Sequence, residues 1–295
     1  MSFSKDAAIN LGARIEDVKV QSVVGNGNTN EYSGEKKFKP FSTSLGYRQG
    51  LNSFWTATSN LSYTERAPTY YELFANGHHH ATGLHEIGNP NQKLEKGTTL
   101  DLALTYKTAE SKSRLGAFVT EFSNFIGLKD SRTFSDDAPI YNFEGIKARL
   151  YGLEADGRFP LLKGAFGKTG QIDMSWKADY VRGENRTTGG SLPRIAPLRI
   201  DTSFIYTEGR YSSQLDVRYA ARQTRYDDSL GATPSYTTIG MGASYKTVLQ
   251  GFKSAYWFVR VDNLTNEVAR NASSVMRDVA MVGSRSLRAG LRASF

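Results

Sequence analysis

Gly283-Ser284-Arg285-Ser286-Leu287-Arg288-Ala289-Gly290-Leu291-Arg292-Ala293-Ser294-Phe295 closes the chain. Leu287, Ala289, Leu291, Ala293 and Phe295 share one face, and Ser286, Arg288, Gly290, Arg292 and Ser294 share the other. An unbroken period of two is the signature of a β-strand. The chain therefore ends in a strand that needs a partner rather than in a frayed tail. A soluble sandwich and a transmembrane barrel both use strands with an apolar face backed by arginines. They differ in whether the pattern recurs at the roughly 9–11 residues that a tilted strand needs to cross a bilayer.

Twelve stretches carry the alternation. Near Ala7 to Val20, Ile9, Leu11, Ala13 and Ile15 oppose Asn10, Gly12, Arg14 and Glu16, and a Gly/Asn-rich loop through Lys37 follows. Strands near Phe38 to Arg48 and around Trp55 to Tyr63 are joined by Gln49-Gly50-Leu51-Asn52, a tight hairpin. An irregular stretch of about thirty residues then runs to Gly97, and loops of that length inside a compact fold are usually functional. Strand four carries Leu100, Leu102, Leu104 and Tyr106, and turns through Ala109-Glu110-Ser111-Lys112 into strand five, near Arg114 to Ile126. A medium loop with Asp130, Asp136 and Asp137 is expected before strand six, which carries Tyr151, Leu153, Ala155 and Phe159.

Strand seven sets Ile172, Met174, Trp176, Ala178 and Tyr180 against Asp173, Ser175, Lys177 and Asp179, and the loop Gly183 to Pro197 follows. Strands eight and nine meet at Glu208-Gly209-Arg210; strands ten and eleven carry Ile239, Met241, Ala243, Tyr245 and Trp257, Val259, Val261. The last strand is the twelfth. Short and long connections take turns, and the apolar faces end in Tyr or Trp near turns, as interface girdles do. Charges on the reverse faces, among them Arg14, Glu16, Arg149, Glu154, Asp156, Arg218, Arg260 and Asp262, are expected to pair across strands in a wet lumen. The pattern predicts an all-β, transmembrane, antiparallel up-and-down β-barrel of about 12 strands, a single domain over residues 1–295 with short periplasmic turns and long extracellular loops. An even count places both termini on one side, so the expectation is closure of strand one on strand twelve.

Composition agrees. Among 295 residues there are 16 Tyr, 16 Phe, 28 Gly, 8 Pro and no Cys, which suits aromatic-rich strands and excludes disulfides, thiolate metal sites and a cysteine nucleophile. The mean hydropathy of −0.46 and the absence of an 18-residue apolar run exclude a helical membrane protein but leave alternating strands free to span lipid. The net charge of +8 is spread through strands and loops, which argues against nucleic acid as a partner. Met1-Ser2-Phe3-Ser4-Lys5 lacks the apolar core of a secretion signal, so a mature or shortened form is expected.

Several stretches resemble the TonB-dependent receptors of Gram-negative outer membranes. They are Thr64-Glu65-Arg66-Ala67-Pro68-Thr69-Tyr70-Tyr71-Glu72-Leu73-Phe74, Gly88-Asn89-Pro90-Asn91-Gln92-Lys93-Leu94-Glu95-Lys96-Gly97 and Ala148-Arg149-Leu150-Tyr151-Gly152-Leu153-Glu154-Ala155. Leu192-Pro193-Arg194-Ile195-Ala196-Pro197-Leu198-Arg199, Val261-Asp262-Asn263-Leu264-Thr265-Asn266 and the terminal Phe295 are similar too. The resemblance implies the outer membrane as location and metal ions or metal chelates as cargo. It also implies outer-membrane lipid, lipopolysaccharide and the barrel-assembly machinery as partners. The family's plug, TonB-contacting box and twenty-two strands are not matched by this stretch, which looks like the last twelve strands, so TonB is not carried over as a partner; the chain is either the carboxyl-terminal half of a receptor or, as the expectation has it, a smaller, plugless barrel.

Within the same resemblance, Ala75-Asn76-Gly77-His78-His79-His80-Ala81-Thr82-Gly83-Leu84-His85-Glu86 is similar to the loop of receptors linked to zinc or other metal uptake. All four histidines lie here, and His78, His79, His80, His85 and Glu86 are the candidate ligands for Zn²⁺ as cargo or loop-bound ion, with Glu72 near; no resident cofactor is required. The competing reading is a solvated loop that binds metal as a tag does. Gly25-Asn26-Gly27 and Gly189-Gly190 lack the strand-to-helix setting of a phosphate loop. Without an Asp-His-Ser order or a nucleophile elbow the chain is not read as an enzyme, although an outer-membrane hydrolase of similar strand number stays open as a third reading. The second is a passive twelve-stranded pore or secretion translocator.

Overall fold

The computed structural model describes residues 2–4, 6–22, 34–80, 82–166, 169–226, 231–248 and 252–294. Phe295 and Gly25-Asn26-Gly27 lie outside the described residues. In chain order the elements are β1 (Ser2–Ser4), β2 (Ala7–Ile15), β3 (Val18–Gln21), β4 (Glu35–Phe38), β5 (Phe41–Gly50), β6 (Trp55–Arg66), α1 (Tyr70–Phe74), β7 (Asn76–His79) and β8 (Leu84–Ile87). They continue with β9 (Glu95–Lys107), β10 (Lys112–Ser135), β11 (Ala138–Lys163), β12 (Gln171–Asn185), β13 (Arg199–Glu208), β14 (Tyr211–Ala220), β15 (Tyr236–Thr247), β16 (Ser254–Asp262) and β17 (Ser286–Ser294).

One sheet of fifteen strands holds the chain, in the order β1-β2-β5-β6-β9-β10-β11-β12-β13-β14-β15-β16-β17, with β7 and β8 joined at its side and β3–β4 a separate pair. Setting aside the three-residue β1, the path contains the twelve strands that the alternation predicts, and its neighbours run antiparallel. Connections 51–54, 108–111, 164–170, 209–210 and 248–253 are short and lie at one end; 16–40, 67–94, 186–198, 221–235 and 263–285 are longer and lie at the other.

Three expectations change. The loop placed at Asp130 to Asp137 is instead the top of a long hairpin: β10 and β11 pair through Ser135↔Ala138, and Asp136 and Asp137 turn the chain with φ of 48° and 64°. Two consecutive positive φ values are what a two-residue turn of the I′ type demands, and Asp tolerates them without the usual glycine. Asp130 is buried and accepts from Arg132 N at 2.8 Å, so it does not stand with Asp136 and Asp137 as an open acidic loop. Second, β2 ends at Ile15, and Val18–Gln21 leaves the sheet to pair with Glu35–Phe38. Third, strand one does not meet strand twelve: β1 and β17 stand at opposite ends of the order, so the described sheet is an open path rather than a closed twelve-stranded barrel. Even parity puts both ends on the short-turn side, yet closure also requires the tight curvature of a twelve-stranded cylinder.

The two faces have opposite chemistry. Outward lie Leu61, Leu100, Leu102, Leu115, Leu153, Met241 and Leu291, with Leu115 56% and Leu153 55% exposed. An apolar face this extensive requires an apolar neighbour. Inward, ion pairs step from strand to strand: Arg158–Asp173 at 2.8 Å, Arg199–Asp179 at 3.0 Å, Arg218–Asp201 at 2.5 Å, Arg260–Asp216 at 2.9 Å, and Arg288 with Asp262. Two of the expected lumen pairs differ. Arg14 bonds Glu16, just past the end of β2, and not a residue across the sheet, and Arg149, which alternates with Leu150 and so shares the face of Tyr151, does pair across strands, with Glu121, but on the outward face. The buried core is small and sits in the long-loop half, where Leu84, Leu128 and Tyr141 pack with Phe143 and Val275.

The loop 67–94 is anchored by one cation. Arg66, the last residue of β6, donates to both Glu72 oxygens at 2.8 and 2.9 Å and to both Glu95 oxygens at 3.0 and 3.1 Å. Glu95 also accepts from Ile126 N at 2.9 Å, and Glu72 closes a capping box with Thr69 at the start of α1. A fork that binds two carboxylates in this way fixes direction as well as distance. Downstream, Asn89 N donates to Glu72 O at 2.9 Å, and a Cβ on Gly88 would stand 2.6 Å from the Leu73 carbonyl carbon, so only glycine lets the two segments touch.

Two outcomes follow. Leu100→Arg, outward in mid-β9, should destabilise the chain in lipid vesicles by about 2–4 kcal/mol in urea unfolding, whereas inward Asn60→Lys, opposite Asp101, should cost far less; equal costs would contradict the assignment of faces. Glu72→Gln or Gly88→Ala should speed amide hydrogen exchange across 76–87 while leaving β12 to β17 protected. Exchange that stays slow in the loop would show that the Arg66 fork does not hold it.

Candidate functional site

The histidine stretch is a β-hairpin, β7 with β8, and β8 lies parallel to β11 through His85↔Ile140, Glu86↔Tyr141 and Ile87↔Asn142. It is therefore added to the part of the β10–β11 hairpin that projects beyond the apolar band. Strand alternation sorts the candidate ligands. His79 and Glu86 face the packed side, Glu86 buried and His79 half-buried; His78 and His80 are exposed, and His85 is Cα partner of His78.

On the packed side His79 Nδ1 lies 3.0 Å from Thr82 Oγ1 and 3.4 Å from Glu86 Oε1, and Thr82 Oγ1 donates to Glu86 at 3.3 Å. The Tyr71 and His79 rings are 6.1 Å apart. On the open side the His78 and His80 rings meet edge to face at 5.0 Å. The five residues are thus divided between two faces, and among the described residues no group of three or more His, Cys, Asp or Glu is close enough to hold a metal ion. The reason is the period of two: side chains adjacent in sequence diverge once the segment becomes a strand.

His79 and Glu86 border a cavity of about 450 Å³, together with Tyr71, Phe125, Phe143 and Arg194. Its walls come from α1, the hairpin, β10, β11 and the 186–198 loop. That loop folds back on β12: Leu192 N donates to Gly183 O at 3.0 Å, Gln223 bonds Ile195 O, and a Cβ on Gly183 would lie 2.9 Å from the Ile195 side chain. Arg194, at φ 60°, occupies the left-handed region that few arginines adopt. The site therefore joins one imidazole, one buried carboxylate, one guanidinium and aromatic surface. Sequence reading found the His and Glu but not Phe125 and Phe143, which reach the cavity from β10 and β11, or Arg194, which reaches it from the 186–198 loop; Arg194 could have been flagged because it sits within the Leu192-Pro193-Arg194 motif.

A larger cavity of about 570 Å³ lies on the inward face beside Asp201, Asp216, Arg218 and Arg260. Four of its charged groups pair with one another: Arg218 with Asp201, and Arg260 with Asp216, which also accepts from Ser203 and, at 2.6 Å, from Gln214. It is a largely polar wall, whereas the smaller cavity combines apolar surface with convergent polar groups, the usual make-up of a ligand site.

The family model "TonB dependent receptor-like, beta-barrel" matches residues 1–264. A curated relative, the probable hemoglobin and hemoglobin-haptoglobin-binding protein 4 of Haemophilus influenzae, is 26% identical over 208 residues, 65% of this chain and 20% of the relative. Among solved structures, the copper transporter OprC superposes with a TM-score of 0.82 at 19% identity, over 99% of this chain and 46% of that one. The unliganded ferric citrate transporter FecA gives 0.70 at 18% identity, over 96% of this chain and 42% of that one. The siderophore receptor PirA of Acinetobacter baumannii gives 0.66 at 19% identity, over 99% and 44%. This chain spans less than half of each of these structures and a fifth of the curated relative. The likeness runs over nearly the whole of this chain and shows a shared fold. The chain belongs to the TonB-dependent receptor-like β-barrel family.

Proposed function

We propose that the chain forms wall and loop crown of an outer-membrane uptake receptor, and that its long-loop end takes a metal already held by a chelator. The observation that supports this reading most is the 450 Å³ cavity with His79 and Glu86 on one side and aromatic surface on the other. A bare Zn²⁺ site needs three or four protein ligands, and here two converge. A chelated metal brings most of its own donors and leaves one or two positions, which an imidazole and a carboxylate can fill. The chelator's organic body suits Phe125 and Phe143, and an anionic chelator suits Arg194. Tyr71, over His79, limits how far the imidazole can turn. Copper, ferric citrate and hemoglobin in the names of similar proteins are consistent with metal-bearing cargo. The apolar outward face fits residence in the outer membrane.

Calorimetry on the full chain in detergent, titrated with ZnCl₂, ferric citrate and hemin, tests this reading. At least one chelate should bind more tightly than ZnCl₂. His79→Ala and Glu86→Gln should each weaken that chelate by roughly ten-fold or more, the scale of one lost charge-assisted contact, while His78→Ala and His80→Ala leave it unchanged. Tighter binding of ZnCl₂ than of either chelate, or equal losses from all the histidine variants, would return the hairpin to a solvated, tag-like loop.

A further inference from the structure

Arg194 alone carries a fixed positive charge among the residues that border the 450 Å³ cavity, and its side chain makes no hydrogen bond or ion pair among the described residues. Its backbone, at φ 60°, holds a conformation that persists only where the surroundings enforce it. Upstream, Leu192 N donates to Gly183 O at 3.0 Å; downstream, Leu198 O accepts from Ala221 N at 2.8 Å. Between these anchors packing gives little support, because a second cavity of about 130 Å³ also borders the segment, lined by Leu192, Ile195, Pro197 and Gln223 among others. The support is polar: Gln223 Nε2 donates to the carbonyl of Ile195, the residue next to Arg194.

Gln223 is itself fixed. It is 9% exposed, its N donates to Thr233 O at 3.0 Å, its O accepts from Thr233 N at 3.1 Å, and its Oε1 accepts from Arg225 N at 2.8 Å. Because Oε1 already receives an N–H, the NH₂ end of the amide must face Ile195, so the network assigns the orientation. Glutamate would keep the acceptor and lose the donor, asparagine would fall one methylene short, and methionine would keep the length and lose both. The loop that carries Gln223 is pinned in turn: Arg277, 2% exposed, donates through Nη2 to Gly231 O at 2.7 Å. The turn at Arg194 therefore hangs from the connection between β14 and β15 and not from its own loop alone.

We propose that Gln223 is a positioning residue that sets the charge preference of the cavity: by holding Ile195 it holds the Arg194 guanidinium at the rim, and so selects metal chelates that carry exposed carboxylates over neutral ones. The inference rests on the reading that this cavity takes a chelated metal. A guanidinium without a carboxylate of its own offers its planar fork to an incoming carboxylate. That gain is full only when the turn beneath is fixed, because on a loose turn part of it is lost to ordering the loop. Gln223 does not border the 450 Å³ cavity, so its effect reaches the ligand through Arg194.

Calorimetry on the full chain in detergent with two ferric chelates of different charge, anionic ferric citrate and neutral ferrichrome, measures the preference, and hydrogen exchange of the unliganded chain measures the turn. Arg194→Gln should weaken ferric citrate roughly ten-fold, the scale of one charge-assisted contact, and leave ferrichrome unchanged. Gln223→Met should do the same, and adding it to Arg194→Gln should cause no further loss. Amides across 192–198 should exchange faster in Gln223→Met and not in Arg194→Gln. If Gln223→Met does not fold, as judged by circular dichroism, Gln223→Glu, which keeps the acceptor for Arg225 N, carries the same expectations. Losses that multiply in the double variant, equal weakening of both chelates by Gln223→Met, or unchanged exchange across 192–198 would overturn the proposal. Failure of both chelates to bind the native chain would overturn the reading of the cavity, and the charge preference with it, whatever the exchange shows.

Discussion

In hydrocarbon every backbone N–H and C=O must find a partner within the protein, and that requirement shapes this chain more than any side-chain contact. The antiparallel ladders from β2 to β17 meet it for the interior strands. They also explain why the protein can place leucines outward and ion pairs inward: with the ladder satisfying the backbone, each side chain answers only to the medium its face meets. The same requirement bears on the two edges. An unpaired row of donors and acceptors in lipid costs several kcal/mol per group, so the outer edges of the described sheet cannot meet hydrocarbon unpaired.

Above the lipid, water relaxes the constraint and side chains take over. There the chain builds its small core, and there a short helix, an added hairpin and a folded-back loop converge. Arg66 links the two regimes. It belongs to the last position of a membrane strand, yet its fork holds Glu72 of the helix and Glu95 of the next strand, so the placement of His79 and Glu86 is tied to the ladder beneath. A cavity built in this way has its base tied to the sheet through Arg66 and its rim formed by a hairpin and a loop.

Much of the fold could be read from residues because period two is a local signal. Leu100, Leu102 and Leu104 against Thr99, Asp101 and Ala103 identify β9 without reference to anything distant. The turn at Asp136-Asp137 was hidden because its positive φ values depend on pairing with the opposite strand, not on a glycine signature. The division of His79 from His78 and His80 was implicit in strand alternation, but only once the stretch was known to be a strand rather than a loop. Arg194, Phe125 and Phe143 are separated from His79 by many strands, and no local pattern announces their meeting. Openness of the sheet is a property of curvature, to which parity and alternation are blind.

The account rests on one face of the sheet meeting lipid and the other water. Spin labels placed singly along 98–106 of β9 in reconstituted vesicles measure this, by comparing relaxation from oxygen, which partitions into lipid, with relaxation from a water-soluble nickel chelate. Labels at 100, 102 and 104 should be oxygen-accessible and those at 99, 101 and 103 nickel-accessible, in strict alternation. Uniform nickel accessibility at all positions, or an alternation of the opposite phase, would contradict it.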